Sequence, residues 1–303
     1  MADDIPFDRS FDAPAGQMVQ VSPLVRRIVA PNPGPFTFTG TCSYVVGRGE
    51  VAVIDPGPGD GPHLEAILAG TAGETITTIV LTHTHRDHSP AARPLAARTG
   101  ARIIGCGPHR PSRPVAASEG GMLDASADAD HVPDRVLDDG DTVAGEGWTL
   151  TALATPGHTA NHLAFALAEE TVLFSGDHVM AWSTTIVAPP DGSMGEYMSS
   201  LSRLVDRAES LYWPGHGGPV TQPARFVRAL IQHRRAREAA ILDRISKGDT
   251  QIGPIVERLY EGLAPALHGA AALSVLAHLE DLVAKGLVTT DGAPRRDGRF
   301  ERA

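Results

Sequence analysis

The chain has 303 residues, 42% hydrophobic and 20% charged, with a formal net charge of −10. That is room for two domains in the composition of an ordinary globular protein, and the shortage of long apolar runs predicts no membrane span. The acidic start, MADDIPFDRSFD, lacks the basic and apolar regions of a leader, so export is not expected, and Cys42 and Cys106 read as free buried thiols in a reducing, cytoplasmic setting.

Charge is uneven. Residues 1–224 carry 13 basic and 26 acidic side chains, a net of −13, whereas 225–303 carry 13 and 10, a net of +3. A body that negative is a poor generic partner for nucleic acid, whose affinity comes mainly from phosphate neutralisation.

Residues 17–30 predict one or two strands, and 42–46 with 51–54 predict a hairpin closed by the turn formers at 47–50. A helix over 63–69 and a buried-type strand over 75–81 follow, and then the run THTHRDH at 82–88. His83, His85, Asp87 and His88 are all metal-ligand types. On a strand end, period two puts His83 and His85 on one side, while Asp87 and His88 in the following turn swing toward a second position beside it. That is the layout of a two-metal site, and solvated histidines would be out of place directly after a buried strand.

A short helix over 94–98, a strand over 102–106 and a long loop or partly helical insertion over 107–133 come next, and strands resume from 134. One pattern then repeats: apolar strand, glycine-punctuated turn, ligand. His158 follows 148–154 in TPGHT, Asp177 follows 171–174 in FSGDH, and His216 follows 211–213 in PGHG. Sheets present such turns together at one edge, so the segments are expected to converge on one cleft.

Helical spacing marks 196–208, and after Pro223 helices are predicted over 226–245, 252–263 and 270–285, followed by a short 287–290 run and the basic turn APRRDGR. Three helices with a small β element suggest a winged helix over 225–303, joined to a catalytic domain over 1–224. Its candidate recognition helix puts Leu273, Leu276, Leu279 and Leu282 on a core face and leaves Ser274, His278, Glu280, Asp281 and Lys285 polar. That surface is not basic, so a structural, interaction or substrate-capping role is expected rather than sequence-specific DNA binding.

The HxHxDH run with His158, Asp177 and His216 resembles the metallo-β-lactamase superfamily. The resemblance implies an α/β fold, the αβ/βα four-layer sandwich, with two zinc ions per chain, manganese or iron being the alternatives. One ion would take His83, His85 and His158, the other Asp87, His88 and His216, and Asp177 would bridge them. Within the superfamily, NPGPFTFTGTCSYVVG, TPGHTANHLAF and HRRAREAAIL resemble the β-lactamase-like protein 2 group, whose members add a C-terminal winged helix and whose animal members are described as endoribonucleases on single-stranded RNA. The chain departs from that group at Thr84, where Trp is usual, at Ser89 and Pro90, where Gly-Gly is usual, and at Asn161, where Asp is usual.

The implied enzyme is a dinuclear zinc hydrolase using a metal-bridging hydroxide, with Asp177 and Asp87 as its catalytic carboxylates and Asp177 a candidate acceptor of the nucleophile's proton. The substrate is single-stranded RNA by the resemblance, or a small ester, thioester or lactone, as in glyoxalase II, by the acidic body. A non-enzymatic metal-binding scaffold would be favoured by missing ligands, and none is missing. His88 stands where the commonest lactamase subclass has Arg, and His85 where flavodiiron sites have Glu, which disfavours both activities. His162 is read as either an orienting partner of a ligand or a packing residue, His178 as pointing away, and Thr41 and Tyr44 as cleft-lining or strand-packing.

Overall fold

A computed structural model describes residues 5–59, 61–115 and 127–303. A seven-stranded sheet runs in sequence order: β1 (Val19–Gln20), β2 (Val25–Val29), β3 (Cys42–Arg48), β4 (Glu50–Ile54), β5 (Thr75–Leu81), β6 (Arg102–Gly105) and β7 (Arg135–Val136). Pairing is antiparallel up to β4 and parallel beyond it, and the parallel crossovers carry α1 (Gly61–Gly70) and α2 (Ala92–Thr99). The second sheet has the order β12 (Leu211–Pro214), β11 (Val172–Gly176), β10 (Leu163–Leu167), β9 (Trp148–Ala154) and β8 (Thr142–Gly145).

Side-chain alternation in the second sheet builds two cores at once. Leu163, Phe165 and Leu167 of β10, with Val172 and Phe174 of β11, pack against the first sheet. Ala164, Ala166 and Leu173, one residue out of phase, face α3 (Met194–Leu204) and the first half of α4 (Pro223–Ser246). The layers are therefore helix, sheet, sheet, helix, as the resemblance implied.

A third core joins Ile241 and Ile245 of α4 to α5 (Ile252–Leu259), α6 (His268–Ala284) and the β13 (Val288–Thr290) and β14 (Phe300–Arg302) hairpin. Its helices and two-stranded wing are those of a winged helix. The second wing strand, β14, escaped the sequence reading. Leu273 and His278 also depart from it: Leu273 leaves the core and lines a cavity, while His278, expected on the polar face, is 1% exposed. The stretch Pro265–Ala284 is long and apolar enough by composition to cross a membrane, contrary to expectation, yet Ala271, Ala272, Val275, Leu276, Leu279 and Leu282 fill the third core.

The described parts of the expected 107–133 insertion form no helix or strand; residues 116–126 of it lie outside the described residues. Both cysteines are free and buried, and burial pushes the Cys42 thiol up to about 11.

Candidate metal centre

The two sheets meet at one edge. Leu163 N–H at the start of β10 donates to Thr82 O just past β5 (2.8 Å), and Cys42 N–H at the start of β3 donates to Gly215 O just past β12 (2.7 Å). The first contact draws the 82–88 run to the second sheet, and the second carries His216 to the first. Gly215 is required by this closure, since a Cβ there would run into Asp177 Oδ1 and stand 2.7 Å from His88 Cε1.

All seven residues singled out as ligands come together at this edge. His83 and His85 lie beyond the last residue of β5 rather than on its end, so the loop, not strand alternation, aims them. His85 Nδ1 is 3.1 Å from His83 Nε2 and 2.9 Å from His158 Nε2. Beside them, His216 Nε2 is 3.1 Å from Asp87 Oδ2 and 3.3 Å from His88 Nε2. The two sets, His83–His85–His158 and Asp87–His88–His216, each hold their donor atoms within ion-binding span. Asp177 stands between them, with Oδ2 3.6 Å from His158 Nε2 and 3.3 Å from His216 Nε2. Its Oδ1 is buried, 3.5 Å from His88 Nε2.

The outer nitrogen of every ring is taken, which fixes what the inner one presents. His85 Nε2–H donates to Asp191 (2.9 Å), His88 Nδ1–H to Asp55 (3.0 Å), His158 Nδ1–H to Ile186 O (2.7 Å) and His216 Nδ1–H to Gly40 O (3.3 Å). Thr82 donates its hydroxyl to Asp55 (2.6 Å), so Thr82 Oγ1 accepts from His83 Nδ1–H (2.9 Å). The inner nitrogens of five imidazoles and the carboxylates thus face one another across a few ångströms. In the first set, burial and neighbouring histidines hold His83 well below the usual range, and His158 down to about 4, so protons are a poor remedy for that repulsion. In the second, burial lowers His88 and His216, but Asp87 and Asp177 more than offset it, raising His88 well above its usual value and His216 to about 9. His88 and His216 in turn hold both carboxylates well below the usual range against the effect of burial. A donor set of this kind fits two divalent cations.

Two orienting carboxylates carried no signal in the sequence reading. Asp55 follows β4 with φ 48°, accepting from Thr82 N–H, the Thr82 hydroxyl and His88. Asp191 arrives from a proline loop far along the chain. His162 has an orienting bond: it accepts the Asp177 N–H at Nε2 (3.1 Å) and donates from Nδ1 to Thr155 (2.8 Å). His178 packs against Tyr197, away from the donor cluster. Thr41 donates to Asp87 (3.3 Å), whereas Tyr44 is a buried strand residue bonded to Pro214 O. The departures at Thr84 and Asn161 meet each other, Asn161 Nδ2–H donating to Thr84 Oγ1 (2.9 Å), and neither lines the cavity over the site.

That cavity, about 570 Å³, opens onto His85, Asp87, His158, Asp177 and His216. Its walls are apolar: Phe36, Met180, Ile186, Pro189, and Ala270 with Leu273 from α6. Arg86 is the one cation on its described lining. The winged-helix region therefore closes one side of the cleft.

A four-layer sandwich with a histidine and aspartate cluster at its sheet edge defines a metallohydrolase-type protein. The chain belongs to the metallo-beta-lactamase superfamily, which residues 36–216 match, and residues 252–297 match the beta-lactamase associated winged helix domain. It is 31% identical to a beta-lactamase-like protein 2 homolog of Caenorhabditis elegans, over 89% of this chain and 87% of that one. An atrochrysone carboxyl ACP thioesterase of Aspergillus fumigatus is 32% identical, over 73% of this chain and 65% of that one. The crystal structure of a metallo-beta-lactamase family protein from Thermus thermophilus aligns with a TM-score of 0.74 and 26% identity, covering 94% of this chain and 100% of that one. Members of this superfamily are typically metal-dependent hydrolases, and this chain is placed among them.

Proposed function

We propose that the chain hydrolyses a small ester or thioester with an apolar acyl part, using two divalent ions, zinc by preference. His83, His85 and His158 would hold one ion, Asp87, His88 and His216 the other, and Asp177 would bridge them. The observation that carries this reading is the apolar cavity standing directly on the donor cluster, which suits a hydrocarbon chain leading to a reacting carbonyl. The thioesterase among the relatives supports the same substrate class.

Bound divalent ions would supply a water that deprotonates near neutral pH and a Lewis acid for the developing oxyanion. The protein's part is positional. Asp191, Asp55, Ile186 O and Gly40 O hold the rings; His162 holds the Asp177 backbone; Asp177 would take the nucleophile's proton. Phe36, Met180 and Leu273 exclude water from the acyl side.

A second reading, cleavage of single-stranded RNA, rests on the resemblance to the β-lactamase-like protein 2 group and on the net +3 charge of residues 225–303. The cavity favours it less, because beyond the bound ions only Arg86 on its described lining could meet the flanking phosphates of a polyanion. We assign α6 no DNA-reading role, since its face toward α3 is buried and its first turns wall the cleft. The test is turnover of the metal-loaded full chain on acyl thioesters of increasing chain length beside single-stranded RNA and a small phosphodiester. Thioester turnover rising with chain length is expected; RNA turnover with inert thioesters would reverse the order of the two readings.

A further inference from the structure

A second cavity of about 250 Å³ lies where α3, α4 and α6 meet, lined by Ser199, Arg234, Arg235, Glu238, His278 and Lys285 among others. It is separate from the cleft, on the far half of α6. Arg234 and Arg235 belong to the HRRARE run, which the metal centre does not use.

The polar groups here are buried and left open. His278 is 1% exposed and neither ring nitrogen has a partner; one of them must carry a hydrogen with nothing to receive it. Arg234 is 4% exposed, and its Nε–H is likewise unpartnered. No carboxylate stands within ion-pair distance of Arg234 among the described residues; its guanidinium has only the Thr185 carbonyl and the Tyr197 ring, 5.2 Å away. An uncompensated buried charge is costly, so the pocket lacks a negative partner. Of the acids nearby, Glu238 lines the same cavity, and it and Asp281 both pair with Lys285 at 2.7 Å, so their charge is taken by Lys285 and not by Arg234. With Lys285 compensated, the positive charges left acting on His278 are those of Arg234 and Arg237.

We propose that this cavity binds a small phosphate group, through Arg234 Nε–H, a His278 ring N–H and Arg235, with Ser199 and Ser202 at the mouth. The donors come from three helices and so from several directions, which suits a tetrahedral acceptor. A planar carboxylate is best met by a free guanidinium fork, and one arm of the Arg234 fork is committed to Thr185. Thr185 in turn donates its hydroxyl to Asp177 O (2.7 Å), so the occupied pocket would brace the turn that carries Asp177.

The test titrates the metal-loaded full chain with inorganic phosphate, and separately with glycerol phosphate, at ionic strength held constant with chloride. Melting midpoint and binding heat are read. A saturable response is expected, at least ten-fold weaker in Arg235→Ala and absent in His278→Leu, with metal content unchanged. Response to inorganic phosphate alone would identify the free ion as ligand, and response to glycerol phosphate a phosphomonoester; either supports the site. Arg235 is on the exposed helix surface, so Arg235→Ala decides the matter if His278→Leu does not fold. Equal affinity in parent and Arg235→Ala would place the phosphate at the metal centre instead and overturn the proposal, as would a response that follows salt alone.

Discussion

Both cavities are walled by buried histidines, and their bonding is opposite. At the sheet edge each ring has its outer N–H received by a carboxylate, carbonyl or hydroxyl, which turns its other nitrogen inward to the donor cluster. At the helix junction His278 keeps neither nitrogen partnered and shares its pocket with an unpaired guanidinium. The first arrangement offers acceptors and wants cations; the second offers donors and wants an anion. A buried histidine is thus informative through its second nitrogen, more than through its burial.

The sharpest way to break that contrast is at Asp177, the carboxylate between the two donor sets. Asp177→Ala is expected to lower turnover on the order of a thousand-fold or more, about 4 kcal/mol of barrier, and to release at least one metal while the melting transition persists. Turnover and metal stoichiometry measured together check it; near-native values of both would remove Asp177 from the centre. His83→Ala and His216→Ala come next. Each should cost activity, but in a metal titration they should delete different affinity phases, because their donor atoms belong to separate sets. Loss of the same phase in both would mean the ligands are partitioned wrongly.

A smaller effect is expected one layer out. Asp191→Ala frees the His85 ring by removing the acceptor of its Nε2–H, and should weaken the phase that depends on His83 by about 10–100-fold while sparing the other. Equal weakening of both phases would show that Asp191 acts on the fold rather than on His85.

Why Asp191 was invisible in the sequence while His85 was not has a physical answer. The candidate ligands after β5 and in the three glycine turns are announced locally, each by an apolar strand beside it. Orienting groups have no such address. Asp191 reaches His85 from more than a hundred positions away, and Asp55 is an ordinary acid at the end of an ordinary strand until Thr82 and His88 fold onto it. The sheets were legible for the same reason as the ligands, since β9 to β12 alternate or run apolar between turn residues. Helix α6 was legible as a helix, but not in its facing: leucine spacing put Leu273 in the core, and only the packing of α6 against α3 and the cleft turns it to the cavity and buries His278. Periodicity assigns a face to one partner, and α6 has three.

The mildest change sharpens the comparison between the apolar cleft and the basic wing. Leu273→Trp would fill part of the cavity from α6, at a position only partly buried, so the third core should tolerate it. Long-chain thioesters should then lose roughly ten-fold in kcat/KM, the scale of one or two methylenes excluded from an apolar pocket, while acetyl thioesters stay within two-fold. Neutralising Arg295, Arg296 and Arg299 on the loop between β13 and β14 should leave both substrates unaffected, because these exposed side chains do not line the cleft. An RNA substrate would behave the other way. It would be indifferent to chain-length effects at Leu273, would lose far more than a small phosphodiester when the three arginines are neutralised, and would bind more weakly with added salt. The two variants therefore separate the readings even if their effects are small, since each substrate class is sensitive to one and blind to the other.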